Sequence, residues 1–295
     1  MRTRRDSFKP LLAIAGATLL LALAGCGMDK TPAASSQASR SSPPRPLHAA
    51  KEGRFIAIYE PATQADTRRE ANHWKQNKLL EDFVDTMNGY VRIPRDVKVI
   101  GKQCGEANAF YDADTHTIEM CYELAAEERK LFADAGDSAA EIDEELYESA
   151  VGTLYHEVGH ALLNELELKF TGREEDVADQ MAAYVLTADN ESKDYLITVA
   201  DTYALAADQE TRLEDLPLYG IHSLNAQRAV NFLCYVYGSD PKAFAYLVKD
   251  GSLPEERAEY CETEYAQLAD GLEALLEPHL KPTAADNAQA ARAAQ

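Results

Sequence analysis

Positive charge is what this 295-residue sequence has least of: 29 lysines and arginines stand against 50 aspartates and glutamates, for a formal net charge of −21. A surface of that sign repels phosphate backbones and anionic headgroups, which excludes a nucleic-acid function. Cysteine is also scarce, at five, and no two have the C-x-x-C spacing of a cysteine metal site. The sequence has no internal repeat. Nor does it have an apolar run of the roughly 20 residues that a membrane-spanning helix needs. The longest, Leu11 to Leu23, falls short.

That run has a leader's flanks. Arg2, Arg4, Arg5 and Lys9 precede it, and Leu23-Ala24-Gly25-Cys26, which resembles the bacterial lipobox, closes it. Residues 1–25 therefore read as a lipoprotein signal peptide, with Cys26 left to carry lipid and to be the only membrane attachment. Gly27 rather than an aspartate follows the cysteine, which in envelope lipoproteins implies sorting to the outer membrane. The expected location is the cell envelope, facing the periplasm, with the outer membrane ahead of the inner. Residues 26–52 are Ser, Ala, Pro, Gln and Arg with hardly a large apolar side chain, so they form a flexible tether. Residues 53–281 are long enough for one sizeable domain or two lobes around a cleft, and 282–295 form an alanine-rich tail that frays. Residues 1–25 hold four basic residues and one acidic, so without them the net charge goes from −21 to −24.

Cys104, Cys121, Cys234 and Cys261 are an even set, as expected of disulfides in an oxidising compartment. Of the three possible pairings, proximity favours Cys104 with Cys121 and Cys234 with Cys261, each contributing about 3 kcal/mol by restricting the unfolded chain.

Strand patterns come first: Arg54 to Tyr59, Val97 to Ile100, and a hairpin of Ala107 to Tyr111 with Thr117 to Tyr122. Between the first two, Trp74, Leu79, Leu80, Phe83, Val84 and Met87 mark one long amphipathic helix stopped by Gly89. Helical patterns then dominate: Glu123 to Ala135, a helix opened by the capping box Ser138 to Glu141, Glu174 to Leu186 after a second capping pattern at Thr171, Tyr195 to Ala207, His222 to Tyr237, Pro241 to Lys249 and Glu262 to Leu276. This order predicts an α+β fold with a small N-terminal sheet, long helices and a C-terminal helical lobe.

The helix after Ser138 carries His156-Glu157-Val158-Gly159-His160. One turn separates the two histidines, so both imidazoles reach one point. Leu154, Val158 and Leu162 form its apolar stripe, and Thr153, His156, Glu157, His160 and Asn164 lie roughly opposite. Zn²⁺ takes neutral imidazole nitrogens and, in a catalytic site, keeps a position open for water, for which a neighbouring carboxylate can act as base. This is the H-E-x-x-H constellation of metal-assisted hydrolysis.

Together with Glu175-Asp176-Val177-Ala178-Asp179, the histidines resemble the gluzincin pattern. Cys104-Gly105, Asn108 to Tyr111, Cys121 to Glu123, His156 to His160, Glu174 to Asp179 and the stretch His222 to Pro241 resemble a bacterial family of domains of unknown function labelled as metallopeptidases. The resemblance implies a zincin-like fold and one zinc ion held by His156, His160 and Glu175, with Glu157 as base and Asp179 orienting a ligand histidine, unless Asp179 is an ordinary helix-surface carboxylate. It implies hydrolysis of peptide or protein substrates.

Three further expectations attach to that resemblance. Asn108 and Ala109 resemble a thermolysin-type edge strand that holds an extended peptide, or are an ordinary hairpin strand. His222 and Arg228 are candidates to stabilise developing negative charge, although a lone histidine is more often structural. Among the three adjacent acids, Glu175 lies four residues before Asp179 and on its face, Asp176 is shorter and three before it, and Glu174 is the expected cap partner of Thr171. Two function classes remain, a zinc-dependent endopeptidase of the envelope and a non-catalytic binding module on the same fold. Glu157 favours the enzyme, since a binding module needs no base there.

Overall fold

A computed structural model describes residues 52–282 apart from 189, 191, 211, 213 and 215; the expected signal peptide, Cys26, the expected tether through residue 51 and the expected tail from residue 283 lie outside the described residues. The chain folds as α+β. Four strands, β1 (Phe55–Tyr59), β2 (Val97–Lys102), β3 (Ala109–Asp112) and β4 (Thr117–Cys121), make one sheet in the order β1-β2-β4-β3. β1 and β4 run parallel to β2, while β3 pairs antiparallel with β4 and forms an edge.

Parallel β1 and β2 need a crossover, and two helices supply it, α1 (Ala65–Gln76) and α2 (Leu79–Tyr90). The expected single helix is broken at Lys78, which is left-handed with φ 54°. The Asn77 side-chain amide donates to the His73 carbonyl at 2.9 Å, and the Tyr59 hydroxyl accepts the Leu80 N–H at 3.1 Å. These contacts end one helix and begin the next. Gly89 does not stop α2, which runs one residue further.

Beyond the sheet come α3 (Tyr122–Ala135), α4 (Ala139–Glu165), α5 (Glu174–Leu186), α6 (Ser192–Gln209), α7 (Asn225–Ser239), α8 (Tyr246–Lys249) and α9 (Glu255–Leu276). The capping box of α4 forms: Ser138 N–H donates to Glu141 at 2.9 Å, and Glu141 N–H to the Ser138 hydroxyl at 3.4 Å. The second capping pattern does not. Arg173 is the N-cap of α5 and offers no side-chain cap, and Glu174 is engaged elsewhere. His222 stands three residues before α7, and only the last turn of Pro241 to Lys249 is α-helical, because the Asp240 carboxylate takes the Ala243 N–H into a turn.

α4 is the axis of the domain. It packs against α5, α6, α3 and β3, and its buried residues include Leu146, Leu154, Val158, Ala161 and Leu162 together with His156 and Glu157. A helix covered on nearly all sides needs neighbours that close in, and its two glycines permit this. A Cβ on Gly152 would meet Val199 of α6 at 2.2 Å, and one on Gly159 would meet the Ala178 Cα of α5 at 2.9 Å. Both disulfides take the pairing that proximity favours, Cys104–Cys121 beside the β3–β4 hairpin and Cys234–Cys261 between α7 and α9.

The first half of α4 carries an uncompensated carboxyl. Glu145 has one carboxylate oxygen buried without a hydrogen-bond partner. Burial, and then the charges of Asp137, Asp201, Glu141 and Glu148, push its pKa from 4.5 up to about 7. The folded state thus holds this proton more tightly than the unfolded one, so its contribution to stability is full below about 4.5 and is lost as pH rises through about 7. Glu145→Gln is expected to raise the thermal midpoint at pH 8 and to change it little at pH 5. Equal gains at both pH values would remove the charge as the cause.

Candidate metal centre

The close approach at Gly159 brings the first turn of α5 over the two histidines. The Oε2 of Glu175 lies 3.3 Å from the Nε2 of His156 and 3.2 Å from the Nε2 of His160, and the two Nε2 atoms are 3.2 Å apart. Whether these atoms attract or repel depends on where the protons sit. His156 Nδ1 is 2.8 Å from the Asp179 carboxylate, and His160 Nδ1 is 2.9 Å from the Glu174 carboxylate. Ionised carboxylates only accept, so both rings carry their proton on Nδ1. With both rings neutral, each points a bare Nε2 lone pair inward, next to a carboxylate oxygen. In that state three acceptors converge, an arrangement that could hold a cation. An ion about 2.0–2.1 Å from tetrahedrally placed nitrogens or oxygens separates them by roughly 3.3–3.4 Å, and the observed triangle fits that size.

The protonation of these groups is coupled through the same contacts. Burial opposes a charged His156, but the hydrogen bonds to Asp179 and Glu175 outweigh it and raise its pKa to about 9. Burial likewise opposes an ionised Glu175, and His156, His160 and His222 bring it down to about 2. Asp179 is buried and is held ionised chiefly by His156 and Arg228. Arg228 binds it through two nitrogens, at 2.6 and 2.8 Å, and lies over the Tyr203 ring at 4.0 Å. The expected place of Asp179 behind a histidine is where the structure puts it. Arg228 is not free to meet a substrate's developing charge, because its guanidinium is spent on Asp179.

Glu157 points beside this triangle and is buried. Burial pushes its carboxyl above the ordinary range, against the pull of His156 and His160 and a backbone N–H from Tyr111 of β3. The N–H of Cys121 reaches the Asn108 carbonyl at 3.1 Å, so by the two-residue alternation Ala109 and Tyr111 turn their N–H groups away from β4. The Ala109 N–H is held by the Asn108 side chain at 2.9 Å. The two groups expected to hold a peptide therefore hold each other, on an open edge.

His222 also reaches this cluster, with Nε2 2.8 Å from the Glu175 Oε2 and its ring stacked on that of His156 at 5.9 Å. Burial lowers its pKa, against Glu175, so it is a neutral donor to that carboxylate. Its loop is fastened by the next residue, since the Ser223 hydroxyl donates to Asp176 at 2.8 Å and accepts from Arg173 at 2.6 Å. Asp176, the alternative ligand, is thus turned to the loop. His156, Glu175 and His222 could also form a metal group, with ligand atoms within 4.8 Å of one another. The His156–His160–Glu175 triangle is tighter, and 2.8 Å from His222 to Glu175 is hydrogen-bond length. We therefore take the triangle as the primary ligand set. The role of Glu174 was hidden in the sequence because its position also suits a cap.

The DUF4344 family model, described as Putative metallopeptidase, matches residues 59–276, and the chain belongs to that family. No curated protein and no solved structure matches it.

Removing the partner of a ligand's second nitrogen typically costs 10–100-fold in metal affinity. Glu174→Gln is expected to weaken zinc binding within that range, Glu175→Gln to weaken it further, and Asp176→Asn to leave it nearly unchanged, measured by competition with a chromogenic chelator. A larger loss in Asp176→Asn than in Glu175→Gln would move the ligand to the aspartate.

Proposed function

We propose that the protein is a zinc-dependent peptidase tethered in the bacterial cell envelope through lipid on Cys26. The observation that carries the reading is the convergence of His156, His160 and Glu175 beside the buried carboxylate of Glu157. His156, His160 and Glu175 would hold the ion. Zinc, when bound, supplies a Lewis acid that polarises a carbonyl and lowers the pKa of a water.

The chain's own groups supply the rest. Glu157 takes a proton from the attacking water at its carboxylate and delivers it to the leaving amine; its raised pKa brings it closer to the range in which one group can do both. Asp179 and Glu174 hold the two imidazoles correctly turned, with the Nδ1 proton of each on the carboxylate side. Arg228 keeps Asp179 charged inside the fold. The outward N–H of Ala109 offers an extended peptide a main-chain partner once the Asn108 side chain lets go of it. His222, a neutral donor beside Glu175, stands where negative charge on the substrate's oxygen could be met.

The competing reading is a non-catalytic binding module on the same fold. Glu157→Gln separates the two. It keeps size and fold, so zinc content should stay at one ion while hydrolysis of an unstructured protein is lost; equal activity in the two proteins would sink the catalytic reading.

His222→Ala tests whether the centre is open. We expect kcat to fall by about 10²–10³-fold with zinc content unchanged. Loss of the ion instead would make His222 a fourth protein ligand and close the site.

A further inference from the structure

The cavity at Glu157 continues past the metal centre for some distance along α4. It holds about 510 Å³, and Leu124, Leu131, Val199 and Tyr203 give it apolar sides. Farther along, Glu128 of α3 faces Ser149 of α4, whose hydroxyl donates to its carboxylate at 2.9 Å. Ser149 precedes His156 by two turns, about 10 Å along the helix axis. That is the reach of a long, unbranched side chain with a polar tip, and a leucine would leave the far end unfilled.

Glu128 is half-buried and, among the described residues, no cation pairs with it. The nearby bases are engaged: Arg129 by Glu70 and Asp143, Lys130 by Asp134 and Arg228 by Asp179. Burial pushes the Glu128 carboxyl up to about 7, against the Ser149 hydroxyl and with the charge of Glu127. An apolar ligand tip would leave that carboxyl buried with a single hydroxyl. A cationic tip would restore the charged form and pair with it. The chain's acidic excess also favours basic peptides as partners.

We propose that Glu128 sets substrate specificity, the cavity taking the side chain of a lysine or arginine that flanks the cleaved bond, its stem along Leu124, Val199 and Tyr203 and its cation on the Glu128 carboxylate. The inference rests on the peptidase reading of the site. Its test is nevertheless independent of turnover. A lysine is scanned through a host peptide against norleucine at each position, and binding to zinc-loaded Glu157→Gln is measured by titration calorimetry, with and without Glu128→Gln. At one position the lysine peptide is expected to bind at least about tenfold more tightly, because a site built around a polar partner rejects the analogue lacking it. That preference should vanish in the double variant while zinc content and thermal midpoint hold, and Glu128→Lys should turn it toward glutamate. Equal affinities at every position, including none for either peptide, or a preference that survives Glu128→Gln, would overturn the proposal. The first comparison stands even if a Glu128 variant does not fold. A protein that binds lysine peptides but never cleaves them would contradict only the hydrolytic reading.

Discussion

Three acceptor atoms held within 3.3 Å of one another are the constraint around which the domain is built. With both imidazoles neutral they repel, so the fold has to fix each from behind. α4 supplies two of them from its most buried stretch, where Leu154, Val158 and Leu162 anchor one side of the helix in the core. α5 supplies the third, and can do so only because Gly159 lets it lie against α4. The motif's glycine is thus a packing residue whose consequence is electrostatic: a side chain there would push Glu175 away from the histidines it must join.

The carboxylates behind the histidines carry the burden one step further. Asp179 is buried, and a lone charge in that position would be costly. Arg228 relieves it through two hydrogen bonds, and the Tyr203 ring covers the guanidinium's face. The chain from Nε2 of His156 through Asp179 to Arg228 therefore links α4, α5 and α7, and Tyr203 adds α6. Glu174 does the same duty for His160 at the exposed end, where solvent shares the load. One histidine is set rigidly from the core and the other more loosely from the rim.

Much of this could be read in the sequence. The α+β order, the motif helix with its capping box and the shared face of Glu175 and Asp179 follow from spacing, because helical geometry is local; that this face meets the histidines is what the gluzincin resemblance implies. The differences share one cause, contacts between elements distant in sequence. Tyr59 on β1 caps α2 and splits the expected long helix. Glu174 prefers His160 to a cap on Thr171. Arg228, a plausible substrate contact by its position in the chain, instead spends its guanidinium on Asp179, 49 residues earlier. Glu128 is silent in the sequence, since a glutamate in an acidic helix carries no signal until Ser149 and an apolar cavity are set beside it.

The two sides of the cleft are held in different ways, and this bears on how it could work. The β3 side is fastened to α4: Tyr111 gives its N–H to Glu157 and its hydroxyl to Glu165 at 2.7 Å, and Glu165 is also met by His116 at 2.6 Å and Arg95 at 3.0 Å. Base and edge strand therefore move together. The His222 side hangs on Ser223, pinned between Arg173 and Asp176 at the start of α5, and the segment before it exposes Leu218, Tyr219 and Ile221. A side chain held by a surface clamp has more room to shift than one set in the core. His222 can thus leave Glu175 for another partner without disturbing the ligand triangle, whereas Glu157 cannot move without taking the strand with it. In the proposed peptidase, a fixed carboxylate and an adjustable imidazole would suit a site that must first admit an extended chain and then gather around one bond of it.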